Sequence, residues 1–280
     1  MISVVKFLLM TNKETREKQK KERQGLEKYN NQGCLMKIIE YNETRDVKIQ
    51  FLDKYQYTTN TTWQNFERGG VNNPYHATVY EIGIKGSKYP AKIEGVMTKE
   101  YDAWHDMLRR CYDNKWKKEH PCYEDVTCCE EWLLFENFYE WLHSQENFDK
   151  WYNGNRWCVD KDILIKGNKI YSPETCCLVS HDVNTLFCKR DRDRGIYPLG
   201  VYYNKRINKY SVKLSLNISY GRKYERQLGS YPTPEDGFYL GYKPEKEKYI
   251  KQIAQEEYDK GNITEKCYNA MMNYEVEITD

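Results

Sequence analysis

The sequence predicts an α+β chain built from several small modules, and three observations carry that prediction. Short alternating or β-branched runs fill residues 31–93, a helix-period stretch covers 98–150, and strand-like runs return from residue 155 until a capped helix begins near 234. Composition agrees. A length of 280 residues suits two domains or a few small ones. With 39% apolar and 31% charged residues, no stretch approaches the ~20 apolar residues of a bilayer span. Aromatics reach 15%, so cores can form around large rings, and disorder is not expected.

The elements follow in order. Residues 1–30 form a polar helical arm, of which 11–30 are rich in helix formers and almost without an apolar stripe, either a solvated helix or a mobile arm. The apolar start Met1–Met10 is interrupted by Lys6 and has no cleavage site, so no secretory leader is expected. In residues 31–95, the runs Cys34–Tyr41, Val47–Leu52 and Thr78–Ile84 lie between Asn, Gly and Asp clusters, which predicts a small antiparallel sheet or barrel. In residues 96–192, Trp104, Met107, Leu108 and Cys111 make one apolar helix face. A denser helix holds Trp132, Phe135, Phe138, Trp141 and Leu142. Strand Arg156–Ile165, the turn at Gly167 and Asn168, an irregular strand Ile170–Val179 and a short helix Asp182–Lys189 come next. Residues 193–280 hold three strands, Leu199–Tyr203, Tyr210–Leu216 and Tyr220–Tyr231. A helix running from Pro234 toward Tyr258 and an acidic C-terminal tail complete the chain.

Charge is unevenly spread. The net charge is only +2, yet residues 189–226 carry 11 Lys/Arg against 3 Asp/Glu, between two acidic blocks. A localised basic face is a footprint for a polyanion, with a plainly solvated basic hairpin as the alternative. The ten cysteines form no CxxC pair and are read as reduced, cytosolic and mostly buried.

The run Trp157, Cys158, Val159, Asp160, Lys161, Asp162, Ile163, with Asn168, Tyr171–Cys176 and Asn184, resembles an HNH nuclease module of about 35 residues. The resemblance extends to the helical lead Trp104–Trp141, which is similar to the flank seen in many phage-borne HNH proteins. It implies a ββα fold with one divalent metal, Mg²⁺ or another, polarising a DNA phosphate. On this resemblance Asp160 and Asn184 are the metal ligands, and Asn168 locks the loop. Lys161 stands where the family has its general-base His. A lysine ammonium keeps its proton at pH 7, so this place is filled by a poor base. His181 is the substitute base candidate, with an exposed helix-start residue as the alternative. Some HNH proteins also carry a zinc on paired Cys. Cys111, Cys122, Cys128 and Cys129 lack that spacing, so structural zinc is not expected.

Gly200–Asn204, Lys209–Leu214, Leu228–Tyr231 and Thr233–Glu235 are similar to an Apetala-type DNA-binding domain, a three-stranded sheet backed by one helix. Period-2 alternation sets Tyr210, Val212 and Leu214 on one side of the sheet. Lys205, Arg206, Lys209, Lys213, Arg222, Lys223 and Arg226 then become a basic face for double-stranded DNA. Residues 31–93, through Asp46–Phe51 and Phe66–Gly69, resemble the small β-barrel modules that precede such HNH regions. The resulting expectation is an α+β chain with a small N-terminal β-barrel, a ββα-metal module and a C-terminal sheet plus helix. Its function would be that of a cytoplasmic, phage-type DNA-binding protein of homing-endonuclease descent in an infected or lysogenic bacterial cell, with cleavage in question at Lys161. It would use no membrane and no small-molecule cofactor. The alternative is a non-enzymatic regulator or inhibitor of a host defence protein, docking through exposed aromatics on the acidic helices of 99–150.

Overall fold

The computed structural model describes residues 14–187, 195–218 and 222–279, with the backbone alone for 217, 218, 222 and 223. The apolar start Met1–Met10 and the last two residues of the helix expected over Asp182–Lys189 lie outside the described residues. The chain forms two compact units, residues 1–91 with 134–136, and residues 92–133 with 137–280.

In the first unit, helix α1 (14–23) leads into a four-stranded antiparallel sheet, β1 (Glu27–Tyr29), β2 (Leu35–Glu43), β3 (Asp46–Phe51) and β4 (Thr58–Thr61), in that spatial order. Alternation buries Met36 and Ile38 on β2 and Val47, Ile49 and Phe51 on β3. A bulge after Ile38 changes the parity, so Tyr41 also turns inward. Helix α2 (Trp63–Glu67), capped by the Thr62 hydroxyl, supplies Phe66 to this core. Arg23 ties α1 down through its guanidinium, 4.0 Å from the centre of the Trp63 ring.

The small N-terminal β-barrel expected from the sequence is not formed. Among the described residues the sheet stays open, with β1 and β4 as its edges. The edge strands are three and four residues long, and β1 is exposed throughout. Phe66 and Val71 close the one buried face, where strand closure would have done so in a barrel. The run Thr78–Ile84 divides into β5 (Ala77–Val79) and β6 (Gly83–Ile84), because Tyr80 and Glu81 adopt positive φ of 51° and 62° in a tight hairpin turn. Glu136, from a later helix, completes this unit. Its Oε1 accepts from the backbone N–H of Ser87 and of Lys88, each at 2.7 Å, and from the Tyr75 hydroxyl at 3.0 Å.

The second unit opens on the hairpin β7 (Lys92–Ile93) and β8 (Val96–Met97). Helix α3 (Lys99–Tyr112) starts at a Thr98 cap and buries Trp104, Met107, Leu108 and Cys111, the face that the period predicts. Helix α4 (Asn114–Glu119), strand β9 (Thr127–Cys128), helix α5 (Phe135–His143) and helix α6 (Phe148–Asn153) follow. Trp132 precedes α5 in a 3-10 turn, where its carbonyl accepts from Trp104 Nε1 at 2.7 Å. Strands β10 (Trp157–Asp160), β11 (Ile170–Tyr171) and β12 (Cys177–Ser180) lead to helix α7 (His181–Asn184). The antiparallel sheet β13 (Val201–Asn204), β14 (Lys209–Ile218), β15 (Arg222–Tyr231) is next. The final helix begins as α8 (Pro234–Asp236), widens to a π-helical turn over Gly237–Tyr242 and runs on as α9 (Lys243–Asp259).

The acidic tail contains a further helix, α10 (Glu265–Met272), capped by Thr264 and burying Cys267 and Met271. The strand–loop–strand–helix segment and the sheet–helix segment share one core. Ile163, Cys177, Val179 and Val183 belong to the same buried cluster as Val201, Val212, Leu214, Phe238, Ile250 and Met271. No helix among the described residues is long and apolar enough to cross a membrane.

Candidate functional site

Two groups of residues stand out in the sequence, and the fold gives each a definite setting. The first lies on β10, β12 and α7. Strands β10 and β12 pair antiparallel, with Cys158 opposite Val179 and Asp160 opposite Cys177. Ser180 accepts from the Val183 N–H at 3.3 Å and starts α7. The order is strand, loop, strand, helix, with strands shorter than the sequence predicts. β10 stops at Asp160, whose Oδ1 accepts from the N–H of Asp162 and of Ile163, both at 2.8 Å, and turns the chain. Ile170 and Tyr171 leave β12 altogether and pair in parallel with β9.

Asp160 is buried, and burial raises its carboxyl above the usual carboxylate range. The two N–H bonds pull the other way, with the smaller effect. The side chain of Lys161 is only 8% exposed. Its ammonium donates to Asp162 Oδ1 at 2.6 Å and to the Asn168 carbonyl at 3.1 Å, and lies 5.9 Å from the centre of the Tyr171 ring. Asn168 donates from Nδ2 to the carbonyls of Lys161 and Ile170, at 2.8 and 2.7 Å. Asn184 donates from Nδ2 to Cys158 Sγ at 3.3 Å. Cys158 and Asp160 are two apart on one strand and share a face, so Asn184 lies along the face that carries Asp160. His181 is exposed at the start of α7.

Part of this donor set is already engaged within the protein. A divalent cation needs several oxygen ligands free to converge on it. Here Asp160 Oδ1 already serves two N–H groups, Asn184 Nδ2 donates to a thiol, and a buried ammonium occupies the loop. Among the described residues no three His, Cys, Asp or Glu side chains gather as a metal-holding group. Every described cysteine is free, and burial pushes the thiols of Cys111 and Cys176 up to about 12. Two residues of this site belong to the resembling run but receive no role from it. Tyr171 supplies an aromatic face to Lys161 and accepts from Arg110 Nη1 at 3.3 Å. Asp162 supplies the counter-charge. Only the run of alternating charges Asp160, Lys161, Asp162 hints at the latter.

The second group lies on the β13–β15 sheet. Val201, Val212 and Leu214 are buried under the final helix. The opposite face carries Tyr202, Ser211, Lys213, Glu225, Gln227 and Ser230. Tyr202 donates to Gln227 Oε1 at 3.4 Å, Ser211 and Ser230 are 3.0 Å apart, and Lys213 pairs with Glu225 at 2.9 Å. The turn between β13 and β14 is pinned by its own side chains. Asn204 Oδ1 accepts from the Arg206 N–H at 3.1 Å, and the Tyr203 hydroxyl donates to Asn208 Oδ1.

The basic residues divide accordingly. Lys205, Arg206 and Lys209 are exposed at the turn, without a carboxylate partner among the described residues. Lys213 is on the open face but neutralised in part by Glu225. Arg226 does not share that face. It stands opposite Leu214 and reaches Glu245 of α9 at 3.2 Å, on the helix side. The backbones of Arg222 and Lys223 pair with Ile218 and Asn217, and their side chains lie outside the described residues. Tyr202, Ser211, Gln227 and Ser230 are not singled out by the sequence, although alternation along β14 already places Ser211 beside Lys213.

Compared with known proteins, the chain matches no family model, no curated protein and no solved structure.

Proposed function

We propose that this chain binds double-stranded DNA through the open face of the β13–β15 sheet and the Lys205–Lys209 turn, inside a bacterial cell. The observation that carries the reading is the division of the sheet into two faces. One is buried under the helix, and the other is polar and ends in three exposed cations without a carboxylate partner among the described residues. The major groove admits a two-stranded β-ribbon, and β13 and β14, joined by the basic turn, would supply one. Cations at its rim would hold phosphates, and Tyr202, Lys213 and Gln227 would face the base edges. The resemblance to the Apetala-type domain supports the same assignment. The host-protein reading would use aromatics on 99–150, where Trp104, Trp132, Phe135 and Phe138 are buried and Trp116, Tyr139 and Trp141 are half-buried.

The test is a DNA titration over a series of salt concentrations with Lys205, Arg206 and Lys209 all changed to Ala. Removing each cation that pairs with a phosphate should flatten the log–log salt slope by about 0.9. A folded triple variant with unchanged affinity and slope would sink the proposal.

A further inference from the structure

Lys161 stands where a nuclease of the resembled type would carry an imidazole, and the structure gives its ammonium three negative partners. These are the Asp162 carboxylate at 2.6 Å, the Asn168 carbonyl at 3.1 Å and the face of Tyr171 at 5.9 Å. We infer that Lys161 is the resident cation of the strand–loop–strand–helix module: it closes the Asp160–Asn168 loop from within, and the module takes no divalent metal at Asp160.

The loop is satisfied at both ends. Asp160 turns the chain at the start through the N–H groups of Asp162 and Ile163. Asn168 staples the far end through the carbonyls of Lys161 and Ile170. Lys161 joins the two ends, since its backbone carbonyl and its ammonium both meet Asn168. The ammonium of a side chain that is 8% exposed persists only with such partners, because an unpaired buried charge is strongly unfavourable. A second cation beside it would meet like-charge repulsion in a site with little water to screen it. Asp162 is nearly half exposed, yet its carboxylate faces the ammonium, so the oxygens nearest the loop are already engaged.

The consequence reaches the sheet. Ile163, one residue beyond Asp162, is 2% exposed and belongs to the core that also buries Val201, Val212 and Leu214. A closed loop holds Ile163 in that core and so supports the sheet from behind. The inference stands apart from the DNA-binding reading, and its test uses no DNA.

The experiment is a thermal melt of the full chain in excess EDTA, in MgCl₂ and in MnCl₂, with Mn²⁺ occupancy followed by electron paramagnetic resonance. Wild type should melt at one temperature in all three, and its Mn²⁺ signal should match that of Asp160→Asn. Lys161→Met should lower the melting temperature by several degrees with or without metal, and Lys161→Arg by less. A saturable Mn²⁺-dependent rise in wild type that Asp160→Asn abolishes would overturn the inference, as would a Lys161→Met protein as stable as wild type. Should Lys161→Met fail to fold, the wild-type metal titration against Asp160→Asn decides alone.

Discussion

Gly200 lies against the ring of Tyr242, so closely that a Cβ at Gly200 would come 2.1 Å from Tyr242 Cδ2 and 2.7 Å from the Lys213 carbonyl. Its φ of +76° is one that other residues adopt only with strain. This packing seats the sheet on its helix. Gly200→Ala should therefore cost roughly 3 kcal/mol, combining backbone strain with overpacking. Urea unfolding would measure it, and a loss under about 0.5 kcal/mol would mean that the ring moves aside freely.

Glu225 places a negative charge on the face assigned to DNA, 2.9 Å from the Lys213 ammonium. An exposed pair of this kind contributes at most about 1 kcal/mol to folding. Glu225→Gln should leave the melting temperature nearly unchanged, free Lys213 and remove repulsion from phosphate. DNA affinity should rise roughly threefold at low salt, with less gain at high salt. Fluorescence anisotropy at two salt concentrations checks this, and a fall in affinity would place Glu225 among the groups that read bases.

Glu136 satisfies three donors in the first unit, two backbone N–H groups and the Tyr75 hydroxyl. Gly86, with φ of +74°, leaves the space the carboxylate occupies, since a Cβ there would come 2.3 Å from Oε1. Glu136→Ala strands those donors and should cost roughly 3 kcal/mol, whereas Glu136→Gln keeps one oxygen and should cost less. Hydrogen exchange at the Ser87 and Lys88 amides would report the loss locally.

Asp160 gives a pH dependence with a definite sign. Burial holds its folded carboxyl above the ordinary value of 3.8. The folded state therefore keeps a proton that the unfolded chain has released. This group's contribution is most favourable below the ordinary carboxylate range and declines as pH rises toward the folded value. Asp160→Asn retains the Oδ1 acceptor without the buried charge. The variant should match wild type below about pH 4 and be the more stable of the two at neutral pH. Melting curves across this range test it, and a variant less stable at neutral pH would show that the charge itself is used.

Cys177 and Cys267 should resist alkylation in the native protein. Both are buried, their Sγ atoms lie 3.9 Å apart, and the hydrogen bond to Cys267 together with burial holds the Cys177 thiol well above its ordinary value. Among the described cysteines Cys122 is the exposed one and should be labelled before the buried ones. Mass spectrometry after brief maleimide treatment would show the order, and early labelling at Cys177 would reveal local opening of α10.

Much of this architecture is legible in the chain itself. The helix face of Trp104, Met107, Leu108 and Cys111, the alternation of Tyr210, Val212 and Leu214, and the Thr233 cap with Pro234 are local signals, and local backbone preference with side-chain burial is enough to express them. The turn at Asn168 is legible for the same reason. What tertiary structure decided depended on pairing across distance. Whether β1 meets β4 is a question of closure that no run of residues encodes, and the sheet stays open because Phe66 and Val71 cover its core. The face of Arg226 depends on register and on a helix carboxylate 19 positions later, with a bulge at Val212/Lys213 interrupting the strict alternation. Helix α10 is hidden in a charged tail, and the helix's own buried residues, Cys267 and Met271, acquire meaning only against the shared core. Lys161 shows the same limit at one residue. The sequence by itself determined that a lysine stands between two aspartates, and only the folded loop, by bringing Asn168 and Tyr171 beside it, decided that its ammonium is held inside.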